Sequence, residues 1–175
     1  MDFAMIEEGV IYMNKLFYTK FHIIIEVISF VLVFAALGVA IYATATIDGE
    51  VPTNYDFDGN VTGYGSPGVF LILPIMMFIC NGIISLCGHL LPTTSWNMPF
   101  KINPERLVIV GRDMAWMLVL LELEIALFTL IFTVDCIYTK IKYLSLIVSV
   151  VLCVIFPMIT VIIVYIKAKK HNGIS

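Results

Sequence analysis

The chain has 175 residues, of which 61% are apolar and only 13% charged, with a net charge of −3. Soluble domains carry about a quarter charged residues, so this composition excludes an ordinary water-soluble domain. It also offers no basic patch of the kind that nucleic acid requires.

Residues 1–17 place Phe3, Ile6, Val10, Met13 and Phe17 at alternating spacings of three and four. That is one apolar stripe, which predicts an N-terminal helix lying in the membrane interface, with a partner-binding helix as the alternative. Four apolar runs follow, at 21–47, 68–91, 112–134 and 142–167. Each exceeds the roughly 20 residues that cross a bilayer as a helix. The fold class is therefore an all-α membrane protein: one domain, 1–175, built as a four-transmembrane-helix bundle. The first run is too long for a signal-peptide core, and Asp2, Glu7 and Glu8 precede it, so it is expected to stay in the mature protein.

In the first span Glu26, Ser29, Val33, Ala36, Ala40 and Ala43 share one face. Small residues there let helix backbones approach closely, which is how membrane helices associate. Residues 48–67 form the one long polar insert, an ordered extracellular loop. It carries Asp48, Glu50, Asp56 and Asp58 and no Lys or Arg. Asp58-Gly59 suits a two-residue type I′ hairpin turn, since both positions need positive φ. Pro74, Phe78, Asn81, Ser85 and Gly88 make the matching face of the second span, with His89 near its end.

Prolines at 92, 99 and 104 break the loop 92–111, and Asn103-Pro104-Glu105 reads as a helix start with Asn as N-cap. The third span holds Glu122 and Glu124 near the bilayer middle. Two residues apart means about 200° of rotation, so they do not share a face. Glu122 lies with Ala115, Ala126, Thr129 and Thr133; Glu124 lies among Met117, Leu120, Leu121 and Phe128. The fourth span puts Ser145, Ser149, Cys153 and Thr160 on one face, with Pro157 as a kink. Its terminal Lys167-Ala-Lys-Lys-His reads as a membrane anchor.

Lys15, Lys20, Lys101, Arg106, Arg112, Lys167, Lys169 and Lys170 fall at one end of the bundle, against Lys140 and Lys142 at the other. The positive-inside rule places both termini in the cytoplasm, loop 92–111 inside, and loop 48–67 outside the cell membrane. Cys80, Cys87, Cys136 and Cys153 show no CxxC spacing and read as buried apolar thiols.

Val51-Pro52-Thr53-Asn54, Phe57-Asp58-Gly59, Gly63-Tyr64-Gly65-Ser66 and Leu73-Pro74 resemble the signature of an uncharacterised bacterial and archaeal membrane domain. That domain heads the SdpI-type immunity proteins, which protect producing cells from a secreted killing peptide. Trp96-Asn97-Met98-Pro99 resembles a further family feature. The chain departs from the family at Asn54, where His is usual, and at Pro67, where Lys is usual. The resemblance implies a membrane protein that binds or senses an extracellular peptide through the loop, by way of Pro52, Asn54, Tyr55, Asp56, Asp58, Gly59, Gly63, Tyr64 and Gly65.

A second site candidate comes from the residues themselves. Acids at mid-helix cost roughly 2.5–3.5 kcal/mol on insertion scales, so they have a partner or a task. The intramembrane set is Glu26, Asn81, Ser85, His89, Glu122 and Glu124. Depth pairs Asn81 with Glu122 in a hydrogen bond, and offers Glu26 a choice of His89, Arg112 or Lys20. The set reads either as a structural polar core or as an ion, proton or ligand path. No Gly-x-Ser-x-Gly, His-Glu-x-x-His or phosphate loop occurs, so neither an enzyme, a cofactor nor a metal site is expected. Three functions stay open: peptide binding, proton- or ion-linked transport, and an accessory subunit of a larger membrane complex. The expected partners are membrane lipids, a peptide or membrane protein, and a second copy of the chain.

Overall fold

The structure, a computed structural model, describes residues 16–56, 60–91, 100–138 and 151–173. The expected interfacial helix up to residue 15, the loop tip with Asp58 and Gly59, the Trp96-Asn97-Met98-Pro99 motif, Ser145 and Ser149 lie outside the described residues. So does the side chain of Tyr55.

Among the described residues four segments are long and apolar enough to cross a membrane: Lys20–Thr46, Pro67–Leu90, Pro104–Tyr138 and Val151–His171. The chain is a multi-pass membrane protein. Its α-helices are α1 (Lys20–Thr46), α2 (Ile72–Leu90), α3 (Leu107–Tyr138) and α4 (Phe156–His171). Between α1 and α2 stand two antiparallel strands, β1 (Val51–Tyr55) and β2 (Val61–Gly65).

Helix α1 buries His22, Glu26, Ser29, Val33, Ala36, Ala40 and Ala43, in alternating steps of four and three. That 3.5-residue repeat keeps a single seam facing its neighbour along the whole helix. Ile24, Val27, Ile28, Val31 and Phe34 point outward and are exposed. In water this arrangement would be inverted; in lipid the large apolar side chains belong outside and the small and polar ones inside. Helix α3 meets α1 with the same rhythm, burying Ala115, Val119, Glu122, Ala126, Thr129 and Thr133. Helix α2 adds Pro74, Asn81 and Gly88 at intervals of seven. The opposite side of α3 carries α4, through Val110 and Met114 against Val164 and Ala168, flanked by Phe100, Ile102 and Met117. Helix α3 thus has a neighbour on each side.

The ends have local causes. Asn103 caps the start of the third span: its Oδ1 accepts the Glu105 N–H at 3.1 Å, with Pro104 in the first helical position. From there the helix runs without a break past Arg112. Before α4, Val151–Ile155 form a π-helical turn directly ahead of Phe156-Pro157. Proline lacks an N–H and crowds the preceding turn, and a widened turn relieves both problems. Cys80, Cys136 and Cys153 are exposed and Cys87 is half-buried, which corrects the expectation of buried thiols. On a lipid-facing surface a thiol serves equally well as a small apolar side chain.

The hairpin is closed by Asp56 and Asn60. The Asp56 N–H donates to the Asn60 carbonyl at 2.9 Å, and the Asp56 carboxylate accepts from Asn60 N at 2.7 Å and Nδ2 at 3.0 Å. The Asp56 carboxylate, by taking both Asn60 donors, holds the two strand ends together. Glycines on β2 make room across the ladder. A Cβ on Gly63 would stand 2.8 Å from Asn54 Nδ2, and one on Gly65 would stand 2.9 Å from Thr53 Cγ2. Thr44 Oγ1, 2.8 Å from the Ala40 carbonyl and 3.2 Å from that of Pro67, ties the top of α1 to the segment leading into α2.

Candidate functional site

The polar side chains of α1, α2 and α3 converge toward the end of the bundle that carries most of the Lys and Arg, called here the basic end. At 1.5 Å per residue, Glu26 lies about 9 Å above Lys20, Asn81 about 14 Å above Leu90, and Glu122 about 15 Å above Arg112. Together they mark a polar column from the helix ends to mid-membrane.

Glu26 anchors the column. Its Oε2 lies 3.0 Å from His89 Nε2, and its Oε1 lies 3.2 Å from the same nitrogen and accepts the Ser85 hydroxyl. Of the three partners open to Glu26 on depth alone, the structure selects His89. His89 keeps 37% of its side chain exposed and Glu26 only 10%. Deeper in, Glu122 is 1% exposed and Asn81 0%. Exposure within the cluster therefore falls from the basic end inward.

The expected hydrogen bond between Asn81 and Glu122 does not form. Both side-chain polar atoms of Asn81 are buried without a partner, and so is Glu122 Oε2. Equal depth on two helices fixes height but not the direction of the side chains, and here that direction decides. Glu122 nevertheless lies within electrostatic reach of both Glu26 and His89.

Three residues that the sequence pattern did not single out complete the site. His22, fully buried on the α1 seam, accepts the Thr19 N–H on Nδ1 at 3.0 Å. It fills the role that Glu or Gln plays in a capping box. An occupied acceptor at Nδ1 puts the ring hydrogen on Nε2, which is buried and lies within reach of the Arg112 backbone. Trp116 lies against the ring, with centroids 4.2 Å apart. Tyr18, just before α1, stacks on His89 with centroids 4.1 Å apart and meets His22 edge-on at 5.8 Å. Burial, then the charges of Glu26 and Glu122, hold its hydroxyl above the usual phenol range. The expected N-terminal stripe placed Phe17 in the interface. Instead it is fully buried, against Gly111 of α3.

The other face of α3 carries more paired groups, although Glu124 Oε2 is buried without a partner among the described residues. Glu124 Oε1 accepts the Thr160 hydroxyl of α4 at 2.5 Å, so the neighbouring helix relieves the carboxylate among its apolar neighbours. Buried Asp113 pairs with Lys167 Nζ at 3.2 Å and His171 Nδ1 at 2.6 Å. Asn172 accepts the Asn103 N–H at 2.8 Å and donates to the Lys101 carbonyl at 2.9 Å. The terminal basic run is thus a docking element for α4 rather than a simple anchor. Asp113 stands eleven residues before Glu124, three helical turns, and that spacing was the available signal.

At the far end Pro52, Asn54, Asp56 and Tyr64 of the hairpin are exposed, while Gly63 and Gly65 are half-buried. Among the described residues no His, Cys, Asp and Glu group is arranged to hold a metal ion.

No curated protein and no solved structure matches the chain. Residues 31–78, from the middle of α1 through the hairpin into α2, match the family described as a domain of unknown function (DUF1648).

Proposed function

We propose that the chain is a proton-linked membrane transport protein, with the α1–α2–α3 cluster as its working site and the basic end facing the cytoplasm. One observation supports this reading above the rest. Glu122 and Asn81, each at most 1% exposed, carry polar atoms with no hydrogen-bond partner among the described residues. On the α4 side of the same helix Asp113 and one Glu124 oxygen are paired, and Glu124 Oε2 is not. A lone carboxyl at this depth is stable only when a proton or cation accompanies it. His89 at the mouth, Glu26 behind it and Glu122 at the bottom give a proton successive acceptors. Beyond Glu122, toward the hairpin, the seam is filled by Ala126, Thr129, Val33, Ala36 and Ala40. The polar groups of the cluster thus lie between the basic end and mid-membrane, with a packed small-residue seam beyond them.

The test is proton movement into vesicles that hold purified protein and an internal pH-sensitive dye. Glu122→Gln keeps the shape and hydrogen-bonding capacity of the side chain but does not ionise. Its expected outcome is a folded protein without flux. Equal flux from both proteins would return Glu122 to a packing role. Orientation is checked by cysteines placed at Asn60 and at Glu105: only the first should react with an impermeant reagent from outside intact cells.

A second reading rests on the hairpin, whose segment 48–66 carries four acids and no Lys or Arg, with Tyr64 exposed. These features, and the resemblance to immunity proteins, favour a cationic extracellular peptide as its ligand. Binding of a lysine-rich peptide that survives Asp56→Asn with Tyr64→Ala would sink this reading.

A further inference from the structure

His89 is the most exposed group of the cluster, and against it stands the Tyr18 ring, whose hydroxyl end fits over Gly88. Leu16 and Phe17 are helical, Tyr18 and Thr19 are not, and α1 starts at Lys20. The chain therefore breaks direction between Phe17 and Lys20, just where it passes the mouth of the column.

Both aromatic residues of this break depend on missing side chains opposite them. A Cβ on Gly111 would stand 2.7–2.9 Å from the Phe17 ring. A Cβ on Gly88 would collide with the Tyr18 hydroxyl and stand 3.1 Å from Leu118 Cδ1. Phe17 thus docks on α3 and Tyr18 docks on α2, so that the two residues bridge the helices framing the cluster. The Tyr18 ring covers the face of His89, the most exposed member of the Glu26 pair, and its edge meets His22. The backbone is held there too, because Thr19 N–H is bonded to His22 Nδ1.

We propose that Tyr18 is the seal of the Glu26–His89 mouth, carried on a Phe17–Thr19 hinge, and that it controls access from the basic end to the buried column. The proposal rests on reading the cluster as a working site. The ring does the sealing by covering His89, and the hydroxyl is secondary. The hinge is pinned at one end by Phe17 in the Gly111 socket and at the other by the Thr19–His22 bond. Opening requires only that the Tyr18 ring swing out of the Gly88 socket, a side-chain movement that leaves the helix seams intact.

The test reads access rather than ion movement, so it stands or falls separately from the flux of Glu122→Gln. A single cysteine is placed by Ser85→Cys in a protein whose four native cysteines are replaced by alanine. Its reaction with a small water-soluble thiol reagent is timed in lipid nanodiscs, where both membrane faces are reachable. Tyr18→Ala should speed the reaction about tenfold or more, the change that corresponds to an opening equilibrium shifted by ~1.4 kcal/mol. Tyr18→Phe keeps the ring and should react as slowly as the parent. Should Tyr18→Ala not fold, Gly88→Ala displaces the ring from its socket without altering it and should give the same direction of change. A parent that already reacts as fast as an exposed cysteine, or variants that leave its rate unchanged, would overturn the seal. So would Tyr18→Phe reacting as fast as Tyr18→Ala.

Discussion

Glu122 and Glu124 stand two residues apart on one helix and keep opposite chemical company. Glu124 faces α4 and receives a hydroxyl from Thr160; three turns away on the same side Asp113 is held by two cationic partners. Glu122 lies on the face that meets α1, and Asn81 of α2 has neither polar atom paired among the described residues; one oxygen of each glutamate is without a partner there. Both faces sit in the same membrane and bear the same cost for a buried carboxyl. The difference teaches where that cost is met by the fold and where it is left for a ligand to meet. A face whose polar groups are paired is joined; a face whose polar groups wait is available.

The comparison is most easily broken at Asp113. Asp113→Ala strips Lys167 and His171 of their buried partner and should loosen α4 from α3. Breaking a fully buried pair costs about 3–5 kcal/mol. Half of the Lys167 side chain is exposed, which lowers the expectation here to about 2–3 kcal/mol. Denaturation in detergent, followed by protease cutting ahead of α4, measures it. A protein as stable as the parent would show that the pairing does not dock the helix.

A smaller effect is expected at Thr160. Thr160→Val removes the donor to Glu124 at nearly constant volume and should cost about 1–2 kcal/mol. In a Glu124→Leu background the same change should cost almost nothing, because the carboxylate it served is gone. Equal costs in both backgrounds would mean that the short contact carries no coupling.

The smallest change in stability is expected where the sequence places the most costly residue. Glu122→Leu replaces a poorly satisfied acid with an apolar side chain of similar volume, which for buried polar groups is near neutral or better. Unfolding should shift by less than about 1 kcal/mol, while proton flux is lost. A collapse of the bundle would mean that Glu122 holds the helices together after all.

Much of this frame is legible in the chain. The α1 seam from Glu26 to Ala43 follows directly from small residues at steps of three and four, because lipid rewards close backbone approach. The Asn103 cap is legible because its hydrogen bond is local. Helix rotation is not legible in the same way. Asn81 and Glu122 share a depth, yet their side chains miss each other, since depth is set by counting and azimuth by packing. The Asp113 pairing joins residues more than fifty positions apart, and Lys167 and His171 carry no mark that separates a docking cation from an interfacial anchor. Tyr18 escaped notice because its position depends on Gly88, which reads in the sequence only as a small residue, and His22 because its bond to Thr19 uses a residue type uncommon in a capping box.

The length of α3 has a mechanical consequence. At 1.5 Å per residue its 32 residues measure about 48 Å, against roughly 30 Å of hydrocarbon. A rod that much longer than the slab must lean or project. The Asp113 pairing ties α4 to α3 at the basic end, so a change in the lean of α3 is carried to α4 there. Stretching or thinning the surrounding bilayer therefore acts on the α3–α4 seam through that pair.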